Sequence, residues 1–289
     1  TRVLTQVAFI ILFLFELLVL GRALLLFLGI RPRSLLLESL LSTALGACAL
    51  VAILWCLAVF RILTAPAGWF LAFLIPIAGI RHSRFWLQRG FTASWTVERP
   101  WWSATVLLTW LLLSYLALNF LSVLRPFPIG WDDLGSYLNR PRLMVSYGHF
   151  IFSMAQFQWE YITALGFLLF GYNSPFGATA SLLINWTAGL LAVWVVYTFS
   201  RTFLGKGSGV LAALLYYTLP LVGHFSYADM KVDNAVFTMS SLTLFTLFLS
   251  LFPPAEEAEE AQEEYMPPQR WLILAGLFGM TAATQANVR

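Results

Sequence analysis

Ile129-Gly130-Trp131-Asp132-Asp133-Leu134-Gly135-Ser136-Tyr137 is the stretch on which the reading of this chain turns. It follows an apolar run over residues 103–124 and sets two carboxylates side by side. One ionised Asp at the centre of a bilayer is costly, and two are costlier. The pair therefore belongs at a membrane face. There it suits either a solvated turn, since Gly and Asp favour turns and helix starts, or an acid/base or cation site at the mouth of a helical bundle.

Composition supports a membrane setting. Of 289 residues, 60% are hydrophobic and 11% charged, against about 25% charged in soluble domains. The net charge of +3 is small and its Lys and Arg residues are dispersed, so no nucleic-acid partner is implied. Cys48 and Cys56 lie two helical turns apart in one apolar run and read as small core or lipid-facing residues. The first apolar run is too long for a cleavable signal peptide. With Thr1 at the start and an apolar segment running into Arg289, the chain reads as a fragment of a longer protein.

Apolar runs over residues 4–29, 35–60, 62–80, 103–124, 179–199, 210–225, 235–252 and from Trp271 onward predict an all-α, polytopic transmembrane helical bundle with about seven full crossings. The run over 62–80, with Pro66 and Pro76, is near the lower length limit and is expected to kink. Residues 150–170 are interrupted by Gln156, Gln158, Glu160 and Tyr161, which suits a helix along or dipping into the interface rather than a span. Arg31 and Arg33, the block from Arg81 to Arg99, and Arg201 with Lys206 fall on one side, read as cytoplasmic. Arg22 is expected to snorkel, and His82 to be a plain residue of a basic loop. The Asp132-Asp133 stretch and the stretch Tyr227 to Asn234 fall on the opposite side. Asn185-Trp186-Thr187 fits the glycosylation triplet but lies in a membrane segment and is discounted. The acidic run from Glu256 to Glu264 reads as a solvated linker. Two regions are expected: residues 1–100, with N-terminal helices and a basic loop, and residues 101–289, a second helical module.

The non-cytoplasmic side thus gathers Asp132, Asp133, Asp229 and Asp233 with Arg140, Arg142, His149 and Lys231. Acids facing bases at a bundle mouth could hold a phosphate while a carboxylate takes a proton from a hydroxyl. The same inventory could serve a transporter or a solvated rim.

The order of these pieces resembles the membrane-embedded glycosyltransferases of the GT-C superfamily, nearest to the group of protein O-mannosyltransferases and lipid A aminoarabinose transferases. The likeness covers residues 102–289. It rests on Trp131-Asp132-Asp133 with Tyr137, on Leu169-Phe170-Gly171 closing a juxtamembrane segment, and on Asp233 opening a later helix. The chain carries Asp133 where Glu is usual in that group, and Gln285 where many relatives place Lys.

The resemblance implies a GT-C-like bundle with juxtamembrane helices in the first outer loop of residues 101–289. It implies transfer of a sugar from a polyprenyl-phosphate donor, with inversion, to a protein, glycolipid or polymer acceptor, in a plasma membrane expected to be prokaryotic. Asp132, Asp133 and Asp233 are the expected catalytic residues, with Asp132 favoured as base. Lys231, Arg140 and Arg142 are expected on the donor phosphate, with Tyr137, Asp229 and His149 in support. No cofactor or metal is required, although a divalent cation could sit between Asp132 and Asp233. The alternatives are a transporter or flippase for a lipid-linked or anionic solute, and a non-catalytic membrane scaffold.

Overall fold

The computed structural model describes residues 2–32, 34–92, 103–125, 130, 132–151, 158–252 and 267–286. Arg33, Trp95, Glu98, Arg99, Trp101, Trp102, Trp131 and the acidic run lie outside them, as do the side chains of Asp133, Lys206, Tyr227 and Gln285.

Among the described residues the chain is all-α, as expected. Its helices are α1 (Arg2–Phe27), α2 (Leu35–Val59), α3 (Ala65–Ala78), α4 (Ile80–Thr92), α5 (Ala104–Val123), α6 (Asn139–Tyr147), α7 (Gln158–Phe170), α8 (Pro175–Leu204), α9 (Lys206–Tyr217), α10 (Pro220–Tyr227), α11 (Asp233–Leu251) and α12 (Pro268–Ala286), with a π-helical turn over Asp133–Tyr137. Among the described residues, five helices, α1, α2, α5, α8 and α11, are long and apolar enough to cross a membrane, and the chain is an integral membrane protein. A sixth span results if α9 and α10, bent by 76°, count as one. Against the expectation of about seven crossings, this criterion finds five or six among the described residues. The 14 residues of α3 reach only about 21 Å at 1.5 Å per residue, short of a core of about 30 Å.

Local sequence explains the breaks. Ser34 caps α2 by accepting from the Leu37 amide, and Ser174 caps α8 by accepting from the amides of Phe176 and Gly177. Pro220 separates α9 from α10, with Leu219 before it in an extended conformation, as the residue preceding a proline prefers. Asn185 is buried inside α8.

Helices α1 and α2 meet through glycine. A Cβ on Gly46 would lie 2.0 Å from the Leu17 carbonyl oxygen, and one on Gly21 1.7 Å from that of Ser42. Small residues allow such close approach between membrane helices. Gly46→Val is expected to lower stability by about 1–3 kcal/mol or more through overpacking, read as the unfolding temperature of the detergent-purified protein. An unchanged value would contradict this contact.

The bundle has two distinct ends. Phe170, at the end of α7, packs on Phe9 near the start of α1 and on Phe176 at the start of α8, so α1 and α8 begin at the same end. At the far end, Arg22 pairs with Glu38 at 2.9 Å, bonds the His82 ring at 2.9 Å and stacks 3.5 Å from the centre of the Phe85 ring. Arg270 of α12 bonds the Gly29 carbonyl there. Arg22 is therefore partnered rather than snorkelling, and His82 is part of a packed contact. The basic stretch around them is the helix α4 rather than a loop. Its Phe85 and Trp86 turn toward α1, the Trp86 indole donating to the Leu18 carbonyl.

Burial, then the charges of Arg22 and Arg81, hold the His82 pKa below its usual value. A depressed imidazole pKa favours the neutral ring, whose Nδ1 accepts from Arg22. That contribution is complete above the ordinary value of 6.5 and is lost as pH falls through the lowered one. The unfolding temperature of the wild type is expected to decline below pH 6.5 more steeply than that of His82→Asn; parallel slopes would contradict the contact.

The described helix α7, 13 residues long, reaches about 20 Å at 1.5 Å per residue, short of a crossing and in keeping with its polar interruptions; residues 152–157 before it lie outside the described residues. Nor is α7 a surface helix. Residues Trp159 to Leu168 are all buried, and α7 is locked on α8 by the Ser181 hydroxyl, which donates to the Thr163 carbonyl at 2.7 Å.

Candidate active site

The π-helical turn, the start of α6, the start of α11 and the buried helix α7 meet at the end of the bundle opposite Arg22. Arg125, following α5, reaches this end, donating to the Ala228 carbonyl. π-Helical turns are rare and often mark functional sites.

Asp132 precedes the turn and is 62% exposed. Its Oδ2 lies 3.6 Å from Lys231 Nζ, which stands 5.2 Å from the centre of the Phe225 ring. Two stretches far apart in sequence thus bring a carboxylate and an ammonium together. Lys231 is held from below by its neighbours, since Met230 and Val232 are buried.

Tyr137 ends the turn at the centre of the charges. Burial first, then the carboxylate of Asp233, raise its pKa, with Glu160 adding to the rise; Lys231 and Arg140 oppose them. The phenol therefore stays protonated at neutral pH and can donate a hydrogen bond. The Arg140 guanidinium lies 5.7 Å from the Tyr137 ring centre and donates to Glu160 Oε1 at 3.2 Å. Asp233 opens α11, where a carboxylate complements the helix dipole. The adjoining Asn234 is buried and donates to the Ser226 hydroxyl at 2.9 Å, tying α11 to α10.

Asp132, Tyr137, Arg140, Lys231 and Asp233 thus form one neighbourhood. The other expected members face elsewhere. Arg142 donates to Asn173 Oδ1 at 2.8 Å, beside a cavity of about 240 Å³ whose wall includes Leu134, Asn139, Phe167 and Tyr172. His149 lies against the Phe150 carbonyl and the Tyr147 ring, where Gly148 accepts from the Leu63 amide. Asp229 is buried and meets the His224 imidazole at 3.0 Å. Among the described residues, no three His, Cys, Asp or Glu side chains come together to hold a metal ion.

Two partners escaped the sequence reading. Glu160 is 2% exposed; a carboxylate inside an apolar run implies a buried partner, but spacing alone could not name Arg140. His224 lies five residues before Asp229, which follows the end of α10, so no i,i+3 or i,i+4 spacing marks the pair.

The family model for dolichyl-phosphate-mannose-protein mannosyltransferase matches residues 157–284. The match runs from α7 into α12 and contains Glu160, Asp229, Lys231 and Asp233, while Asp132, Tyr137 and Arg140 precede it. No curated protein and no solved structure matches the chain. Over residues 157–284 the chain is therefore similar to the dolichyl-phosphate-mannose-protein mannosyltransferase family, which bears out its resemblance to the membrane-embedded glycosyltransferases of the GT-C superfamily.

Proposed function

We propose that this chain transfers a sugar from a polyprenyl-phosphate donor to an acceptor on the non-cytoplasmic face of the membrane. The observation that carries the proposal is the pairing of Asp132 with Lys231 beside Tyr137. A donor of this kind already holds a phosphate leaving group, so the demanding step is activation of the acceptor. The acceptor O–H or N–H attacks the anomeric carbon, the bond from that carbon to the phosphate oxygen breaks with its electron pair, and the proton passes to Asp132. Attack opposite the phosphate inverts the anomeric centre.

Lys231 is the cation best placed for the donor phosphate. Before donor arrives, its charge is engaged with Asp132; a phosphate drawing Lys231 toward itself releases that carboxylate to act as base. Tyr137 offers a neutral phenol donor to a phosphate or sugar oxygen, while Arg140 lends positive charge from behind it. Asp233 stands across Tyr137 to hold the acceptor or to balance positive charge developing on the sugar, and Asp133 tunes its neighbour or binds acceptor. Arg142, at its separate cavity, has a secondary part.

Binding separates this reading from others. Purified protein is expected to bind polyprenyl phosphate and to show no comparable affinity for a nucleotide sugar, measured by ligand-dependent shifts in unfolding temperature. Binding of the nucleotide sugar alone would overturn the assignment of donor class.

A further inference from the structure

Glu160 has a role that the proposed chemistry leaves open. Its carboxylate is 2% exposed and is met by Arg140 at 3.2 Å. It projects from the part of α7 buried from Trp159 to Leu168. This helix cannot shift without disturbing α8, because a Cβ on Gly166 would already lie 2.5 Å from the Ser181 amide nitrogen. The Asp132 segment is different. Among the described side chains of the turn, Leu134 and Gly135 are exposed, and apolar packing holds the turn at its end, through half-buried Tyr137 and buried Leu138. Arg140 bridges the two regimes, with one face toward Tyr137 and a guanidinium nitrogen on Glu160.

We propose that Glu160 is a positioning residue: its fixed carboxylate sets Arg140, and through Arg140 sets Tyr137 and the turn that presents Asp132. The inference rests on the glycosyltransferase reading for its effect on rate, but its effect on the turn is independent of that reading. The competing explanation is that the pair only fills space. Well-packed apolar residues can replace a buried ion pair without loss of stability, so the two explanations separate experimentally.

Three variants of the purified chain, Glu160→Gln, Glu160→Asp and the double variant Arg140→Met/Glu160→Leu, would be compared by amide hydrogen exchange over residues 133–138, by unfolding temperature, and by kcat and donor KM for sugar transfer. In Glu160→Gln the turn is expected to exchange roughly tenfold faster. Its kcat should fall roughly 100-fold, as misplacement of a reacting group does, with donor KM within about threefold. Glu160→Asp keeps the charge and should recover part of both. The double variant should unfold at or above the wild-type temperature yet keep the fast exchange and low kcat. Wild-type exchange and kcat in the double variant, or in Glu160→Gln, would overturn the proposal. If the wild type fails to use a lipid-phosphate sugar at all, the glycosyltransferase reading falls, and the exchange measurements still decide whether Glu160 holds the turn.

Discussion

Asp132→Asn is expected to lower kcat for sugar transfer by about 10²–10⁴-fold, the usual contribution of a positioned general base. The amide has nearly the same shape as the carboxylate, and position 132 is largely exposed, so the fold should be untouched. The Asn side chain cannot take the acceptor proton, whereas donor phosphate is held by Lys231. Donor binding is therefore expected to stay within about threefold. Asp133→Asn, measured beside it, should cost less. A collapse at 133 with near-normal rates at 132 would pass the role of base to the neighbour; normal rates in both would reduce these carboxylates to a solvated rim.

Lys231→Gln is the second large effect. A hydrogen bond to a charged group contributes about 1.5–3 kcal/mol, so removing the ammonium should raise donor KM by about 10- to 150-fold. The change should fall mainly on KM, because Lys231 acts on the donor before and after the chemical step alike. Lys231→Arg should retain part of the affinity. Arg142→Gln is the control: with its guanidinium on Asn173, it should alter KM by no more than about threefold. A larger loss from Arg142→Gln than from Lys231→Gln would move the phosphate site to the cavity beside Asn173.

Much of the architecture is legible in the sequence, and the parts that are not share a cause. Long apolar runs announce α1, α2, α5, α8 and α11 because a bilayer demands length and apolarity together. Gln158 and Glu160 interrupt residues 150–170, and the helix described there, α7, is only 13 residues long. Pro220 marks the bend between α9 and α10 because it lacks an amide proton and constrains the residue before it. What fails is any judgement depending on a partner from elsewhere in the chain. The arginines between 81 and 89 suggest a loop until Phe85 and Trp86 find α1. Arg140 and Arg142 look equivalent two residues apart, yet one faces Glu160 and the other Asn173. At the site, residue type and resemblance point to Asp132, Lys231, Tyr137 and Asp233, and the fold brings them together. Glu160 was visible only as an interruption, since nothing local says which cation reaches a buried carboxylate.

The most direct test of the central claim uses purified wild-type chain in vesicles loaded with a polyprenyl-phosphate sugar labelled in the sugar and offered an acceptor. The account expects label to leave the lipid, free polyprenyl phosphate to appear in equal amount, and the new glycosidic bond to have the inverted configuration. Labelled donor crossing the bilayer intact, with no polyprenyl phosphate released, would contradict it and make the protein a transporter.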